Sequence, residues 1–211
     1  MGTEIPKQFL LLKGRPVLMH TIEAFNDIEL AGMVLVLPAS QMDRWQELCE
    51  EFDFRIKYDM VTGGETRFHS VKNGLSHIGD TGLVAIHDGV RPMIRKEIIE
   101  ESFRVTALKG NAVASVRLKD SIRESKLTGG TRNLNRNNFY LIQTPQTFQR
   151  KILQDAYDFA KDNNIIATDD SFLAEQIGIS PIIVEGSYEN IKITTPDDLL
   201  LAELLLTRFI P

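Results

Sequence analysis

The chain has 211 residues, a formal net charge of −5, and a composition that is 43% hydrophobic and 25% charged. That is ordinary globular usage, suited to one α/β domain with an excursion and cramped for two. The acidic balance excludes a general nucleic-acid binder, which needs a basic surplus to release counterions. No apolar run approaches the ~20 residues of a membrane-spanning helix, and the start lacks the basic-then-apolar order of a secretory signal. With Cys49 as the only cysteine, an intrachain disulfide and a cysteine-rich metal site are excluded, and a reducing cytoplasm is the expected compartment.

Near the start, Ile5-Pro6-Lys7-Gln8-Phe9-Leu10 sets a polar pair between a proline and an apolar run. Residues 33–37 (MVLVL) stop at Pro38 and read as a buried strand. A helix over 40–52 with Ser40 as its N-cap follows, then a short strand over 55–58 and a helix over 66–78. Residues 83–86 (LVAI) predict another buried strand, 96–109 a helix and 112–116 a further strand. Strands separated by helices of this length imply βαβ crossovers and a three-layer, mostly parallel Rossmann-like sheet. Toward the C-terminus, 181–184 and 190–193 read as short strands. Thr195-Pro196-Asp197-Asp198 then opens a helix, with Thr as cap and acids at the positive dipole end. Its LLLAELLL run is apolar enough to belong to the core or to a subunit contact.

Between Val116 and Thr144 the helical stripe disappears. A structureless loop of that length is unusual inside a compact domain. The segment therefore predicts a protruding β-arm, about 117–143, with legs over 121–123 and 139–142. Such an arm has no core of its own and is expected to pack on a second copy of the chain.

Ligands of open parallel sheets bind beyond the carboxyl ends of the strands, which singles out three groups. In VTGGETRFHSV, Gly63-Gly64 precede a helix, so a planar or anionic ligand can meet backbone N–H groups, and Ser70 can hydrogen-bond a base. A plain αL turn before a capped helix explains the glycines equally. In HDGVRP, Asp88 suits a hard cation and Arg91 offers a planar fork for phosphate, although the two can simply pair. His87 reads as a packed neighbour. The third group is scattered: Lys7, Arg136, Thr168 with Asp169, and Lys192. Thr168 is explained by a helix N-cap; Lys192, with Ile191 and Ile193 facing the other way, is less easily dismissed, although most strand lysines are solvated edge residues. Spacing alone delivers an anion site and an arm, and no reaction.

Taken together and in order, PKQFLLLKGRPVLMHTIEAF, GGETRFHSV, HDGVRP, KDSI, the NR of NLNRNN, QTPQTF, ATDDS and NIKITTPDDLLLAE resemble the 2-C-methyl-D-erythritol 4-phosphate cytidylyltransferases of the non-mevalonate isoprenoid pathway. The resemblance spans essentially the whole chain. It implies a magnesium-assisted transfer of a cytidylyl group from CTP to a polyol phosphate, with release of pyrophosphate, by a homodimer that exchanges its arms. It also implies residue roles: Lys7 on the CTP phosphates; Gly64, Glu65 and Ser70 around cytosine; Asp88 near metal, nucleotide and substrate; and Arg91 and Thr168 on the substrate. Ser121 stands where the family often has Thr, and Thr144 lies at the base of the arm, both on the substrate side. Arg136 would reach the neighbouring subunit's substrate, and Lys192 would position the attacking phosphate.

The family pattern opens with a strand and a glycine-rich loop, A-(A/G)-G-x-G-x-R-M-G, and Met1-Gly2 match only its last two letters. A sequence trimmed or mis-set at its start is the favoured expectation, and loss of CTP turnover the alternative. Ribitol-5-phosphate cytidylyltransferase is the nearest competing reading. Thr168-Asp169-Asp170, Asp120-Ser121-Ile122 and the position of Arg136 before Thr144 lean against it. A non-catalytic nucleotide-binding or scaffold protein is the competing reading of another class.

Overall fold

A computed structural model describes residues 5–207. After a 3₁₀ turn (Lys7–Phe9), β1 (Leu11–Leu12) and β2 (Arg15–Pro16) form a small hairpin that leads into α1 (Val17–Asn26). Then come β3 (Val34–Leu37), α2 (Ala39–Glu51), β4 (Asp59–Thr62), α3 (Arg67–His77), β5 (Leu83–Ile86), α4 (Lys96–Lys109) and β6 (Asn111–Arg117). The arm holds β7 (Ile122–Ser125) and β8 (Thr131–Leu134). The chain then returns through β9 (Tyr140–Gln149), α5 (Arg150–Asp162), α6 (Asp170–Gln176), β10 (Ile183–Glu185) and α7 (Pro196–Leu206).

The expected α/β layering is present, and its sheet is mixed. The central four strands run in the order β10-β6-β9-β5. There β10 is parallel to β6, while β9 is antiparallel to both β6 and β5. A separate pair, β3 and β4, is parallel. Alternation along β6 builds the layers. Ala112 and Ala114 face a cluster with Ile98, Ile99 and Val105 of α4, whereas Val113 faces Leu153, Ala156 and Tyr157 of α5. Opposite Ala114 the β6–β9 register slips. Such an irregularity frees residues from the ladder and re-aims them, and here it sets Thr144 toward the end of β5.

Several boundaries differ from expectation for local reasons. The second strand is 59–62 rather than 55–58, because Ile56 and Tyr58 pack onto the Trp45 cluster and the ladder starts with Asp59 opposite Val34. Helix α2 follows Pro38 directly, so Ser40 lies inside its first turn and caps nothing. Residues 190–193 form no strand: Ile193 N–H donates to Val90 O and Ile191 N–H to Glu189 O, with no ladder. The arm's second leg is 131–134, whereas 140–142 pair with β6. Gly129 and Gly130 turn the arm with positive φ, a conformation glycine adopts without a Cβ penalty.

Helix α7 carries the expected cap as a full capping box. Asp198 N–H donates to the Thr195 hydroxyl, and the Asp198 carboxylate accepts from Thr195 N–H. Its apolar run is only partly covered. Ala202 and Leu205 are buried, but Leu200, Leu201 and Leu204 are 61%, 44% and 67% exposed.

Candidate active site

The centre of the site is Asp88, two residues past β5. Arg91 Nε lies 3.2 Å from its Oδ2 and Lys192 Nζ 3.1 Å from the same oxygen, while Arg67 Nε lies 4.0 Å from Oδ1. Burial alone would push this carboxyl up. Lys192, Arg91 and Arg67 outweigh that and hold it below the usual carboxylate range, so it is ionised at neutral pH. One carboxylate thus gathers three cations around itself.

The scaffold beneath Asp88 is a chain of hydrogen-bonded polar groups in which Asn190 Oδ1 alone is buried without a partner. His87 is half-buried, and its Nε2 donates to Arg91 O at 3.1 Å. A carbonyl only accepts, so the proton sits on Nε2 and Nδ1 is an acceptor for the Thr144 hydroxyl, 3.0 Å away. The same hydroxyl accepts from Asp88 N–H at 3.1 Å. Burial pushes the His87 imidazole down to about 4, which keeps it neutral. Asn190, fully buried, donates from Nδ2 to Thr144 O at 2.8 Å, and its backbone carbonyl accepts from Arg91 Nη1 at 2.7 Å. The loops after β5, within β9 and before α7 are therefore pinned to one another, and the loop before α7 carries Lys192.

A second part of the site is the loop after β4. Gly63 N–H donates to Leu37 O at 2.7 Å, drawing the loop against the end of β3. Gly64 N–H donates to Ser70 Oγ at 3.1 Å, and the Ser70 hydroxyl donates to Thr66 O at 2.9 Å. A Cβ on Gly64 would lie 2.4 Å from His69 Cβ, so the loop requires glycine there. Thr66 caps α3. Lys7 arrives at the same edge: its neighbour Gln8 hydrogen-bonds Gln41, in the first turn after β3, and Phe9 stacks on Trp45.

The expected residues are thus gathered unevenly. Asp88, Arg91, Thr144 and Lys192 are joined by contacts of the kinds just described, and Gly64, with Glu65 beside it, lies in the loop before α3, bonded to Ser70 in that helix's first turn. Lys7 is exposed on its 3₁₀ turn. Thr144 is buried with its hydroxyl engaged by His87 and Asp88, which suits positioning more than substrate contact. Thr168 is exposed and does not cap α6. Asp169 does, accepting from Phe172 N–H at 2.8 Å. Ser121 and Arg136 are exposed on the arm, where the Arg136 guanidinium donates to Lys119 O. Among the described residues no hydrogen bond or ion pair joins Arg136 to Asp88. Sequence reasoning passed over Arg67, Asp170 and Asn190. The only local signal was an arginine between the glycine pair and Ser70.

Fold and site together make an α/β layer structure of Rossmann-like type with a cation-ringed carboxylate just past a strand end, where ligands of such folds bind. In structural comparison the chain superposes on a 4-diphosphocytidyl-2C-methyl-D-erythritol synthase from Anaerococcus prevotii with a TM-score of 0.88 at 27% identity, covering 98% of this chain and 92% of that one. It superposes on the 2-C-methyl-D-erythritol 4-phosphate cytidylyltransferase of Francisella tularensis with a TM-score of 0.80 at 31% identity, covering 95% and 93%. In sequence it is 45% identical over 208 residues to the cytidylyltransferase of that name from Bacteroides fragilis, covering 98% of this chain and 93% of the relative. The family model described as IspD, 2-C-methyl-D-erythritol 4-phosphate cytidylyltransferase, matches residues 1–208. The chain belongs to that family. Met1 and Gly2, on which the glycine-loop expectation turned, lie outside the described residues.

Proposed function

We propose that the chain transfers a cytidylyl group from CTP to 2-C-methyl-D-erythritol 4-phosphate, releasing pyrophosphate, as a step of isoprenoid precursor synthesis in the cytoplasm. The observation that carries this reading is the ring of Arg67, Arg91 and Lys192 around Asp88. A phosphate oxygen of the second substrate attacks the α-phosphorus of CTP while the bond to pyrophosphate breaks, so no protein nucleophile is needed. Two polyanions must meet while charge builds on the reacting phosphorus, and fixed cations meet that demand by positioning and by stabilising charge. In this reading Lys192 and Arg91 hold the attacking phosphate, with Thr168 and Ser121 on the polyol side. Lys7 meets the triphosphate, and Gly64, Glu65 and Ser70 face cytosine.

Among the described residues no group of three or more His, Cys, Asp or Glu could hold a metal. A magnesium ion arriving with the nucleotide would be held mainly by phosphate oxygens and water, with Asp88 as the protein carboxylate that would meet it. When bound, such an ion neutralises phosphate charge. Arg136 would complete the site of a second copy in a homodimer, a role supported by its exposure on the arm.

Pyrophosphate release from CTP and magnesium, with methylerythritol phosphate or ribitol 5-phosphate as acceptor, tests the reaction. Turnover is expected with the former; faster turnover of the latter would overturn the substrate assignment. A strictly monomeric species in analytical ultracentrifugation would remove the arm's role.

A further inference from the structure

Arg67 meets two carboxylates from separate parts of the fold. Its Nη1 and Nη2 donate to Asp170 Oδ1 and Oδ2 at 3.2 and 2.5 Å, and its Nε edge lies 4.0 Å from Asp88 Oδ1. Asp170 is fully buried and takes a further bond from the Tyr157 hydroxyl at 2.6 Å. That residue opens α6, and the segment immediately before it carries Thr168. Arg67 itself opens α3, and the loop immediately before it carries Gly64, which Ser70 pins. A guanidinium whose only task is to neutralise Asp170 needs one carboxylate. This one reaches a second, at the centre of the cation ring. The Phe68 ring stacks on Tyr157 with centroids 4.8 Å apart, so α3 cannot rotate without disturbing the Asp170 pocket.

We propose that Arg67 is a positioning residue that couples the nucleotide side of the site (Gly64, Ser70) to the second-substrate side (Asp88, Thr168) through its paired contact with Asp170 and Asp88. The proposal rests on the cytidylyl-transfer reading above. Coupling of this kind is reciprocal: each substrate binds more tightly once the other is in place.

The decisive variant is Arg67→Lys. It keeps the charge opposite Asp170, but one ammonium cannot span two carboxylates as a planar fork does. Titration of the full chain with a non-hydrolysable CTP analogue, with and without methylerythritol phosphate, reads the coupling directly. In the wild type the second ligand is expected to tighten the first by about fivefold or more; in Arg67→Lys the factor should fall to near one. A role confined to folding would lower Tm and leave the coupling intact. If Arg67→Lys does not fold, the double variant Arg67→Gln with Asp170→Asn replaces the buried pair by two amides and carries the same expectation. Undiminished coupling in the folded variant, or no coupling in the wild type, overturns the proposal. Pyrophosphate release by the wild type is read separately: its absence overturns the transfer reading, whereas its presence with undiminished coupling in Arg67→Lys overturns this inference alone.

Discussion

Lys192 places its ammonium 3.1 Å from Asp88 Oδ2, although the two residues come from opposite halves of the chain. What brings them together is the Asn190 clasp, which ties the segment before α7 to Thr144 and Arg91. Lys192 is 45% exposed, so one side of the ammonium faces outward toward an incoming anion while the other is oriented by Asp88. Replacement by methionine keeps the stem and removes the charge. Turnover of Lys192→Met should fall about 10²–10³-fold, the range for loss of one charge-stabilising donor. CTP affinity should change little. Steady-state kinetics with a separate CTP-binding titration checks the split, and near wild-type kcat/KM would exclude the role given to Lys192.

His87 makes stability depend on pH. Its folded pKa, about 4, lies below the unfolded value near 6.5. Between those values the unfolded chain binds more protons than the folded one, so stability rises with pH there. The contribution is fully present above about pH 6.5 and is lost as pH falls toward 4, up to about 3 kcal/mol. Urea melts at pH 7 and pH 4.5 should show the loss, and His87→Gln should show a smaller difference between the two.

Gly64→Ala tests the loop after β4. The new Cβ would fall 2.4 Å from His69 Cβ, in the first turn of α3, so the loop must move away from Ser70. A displacement costing about 1–3 kcal/mol should raise KM for CTP by roughly tenfold or more, with KM for the polyol phosphate much less affected. Equal effects on both substrates would contradict the assignment of this loop to the nucleotide.

Thr195→Ala removes the capping box of α7. The expected loss is about 0.5–2 kcal/mol of stability, read as a Tm lower by a few degrees. Lys192 precedes the cap by a short segment, so a modest fall in kcat should accompany the loss. Thr195→Ser should restore both.

The strands that were legible in the sequence were short β-branched runs ended by breakers. LVAI became β5 at the expected bounds, and α4 filled 96–109 because its stripe and the glycine at its end agree. Legibility failed where tertiary contacts overrode a local pattern. Residues 190–193 alternate as a strand does, yet Asn190 spends its polar groups on Thr144 and Arg91 and leaves no ladder. For α7, composition indicated burial without indicating that three leucines face outward in the single chain. In the site, the strand-end rule reached Asp88 and Arg91 from spacing alone. Arg67 and Asp170 were invisible to it, because a fork closing on a carboxylate from another helix leaves no periodic trace in either segment.

The loop that carries Lys192 is measured at both ends. Gly186 N–H is fixed on Ser115 O, and Ile193 N–H on Val90 O. A Cβ on Gly186 would lie 3.1 Å from Ser115 O and 3.2 Å from Ser115 N, so backbone presses closely on the near anchor. Backbone length between two such anchors sets where the ammonium stands: one residue added or removed there would carry it off Asp88, however well the sequence was otherwise kept. The arm tip at Leu127, wholly exposed, has no such ruler. Related chains should accordingly vary in length at the tip and hold the 186–193 count constant.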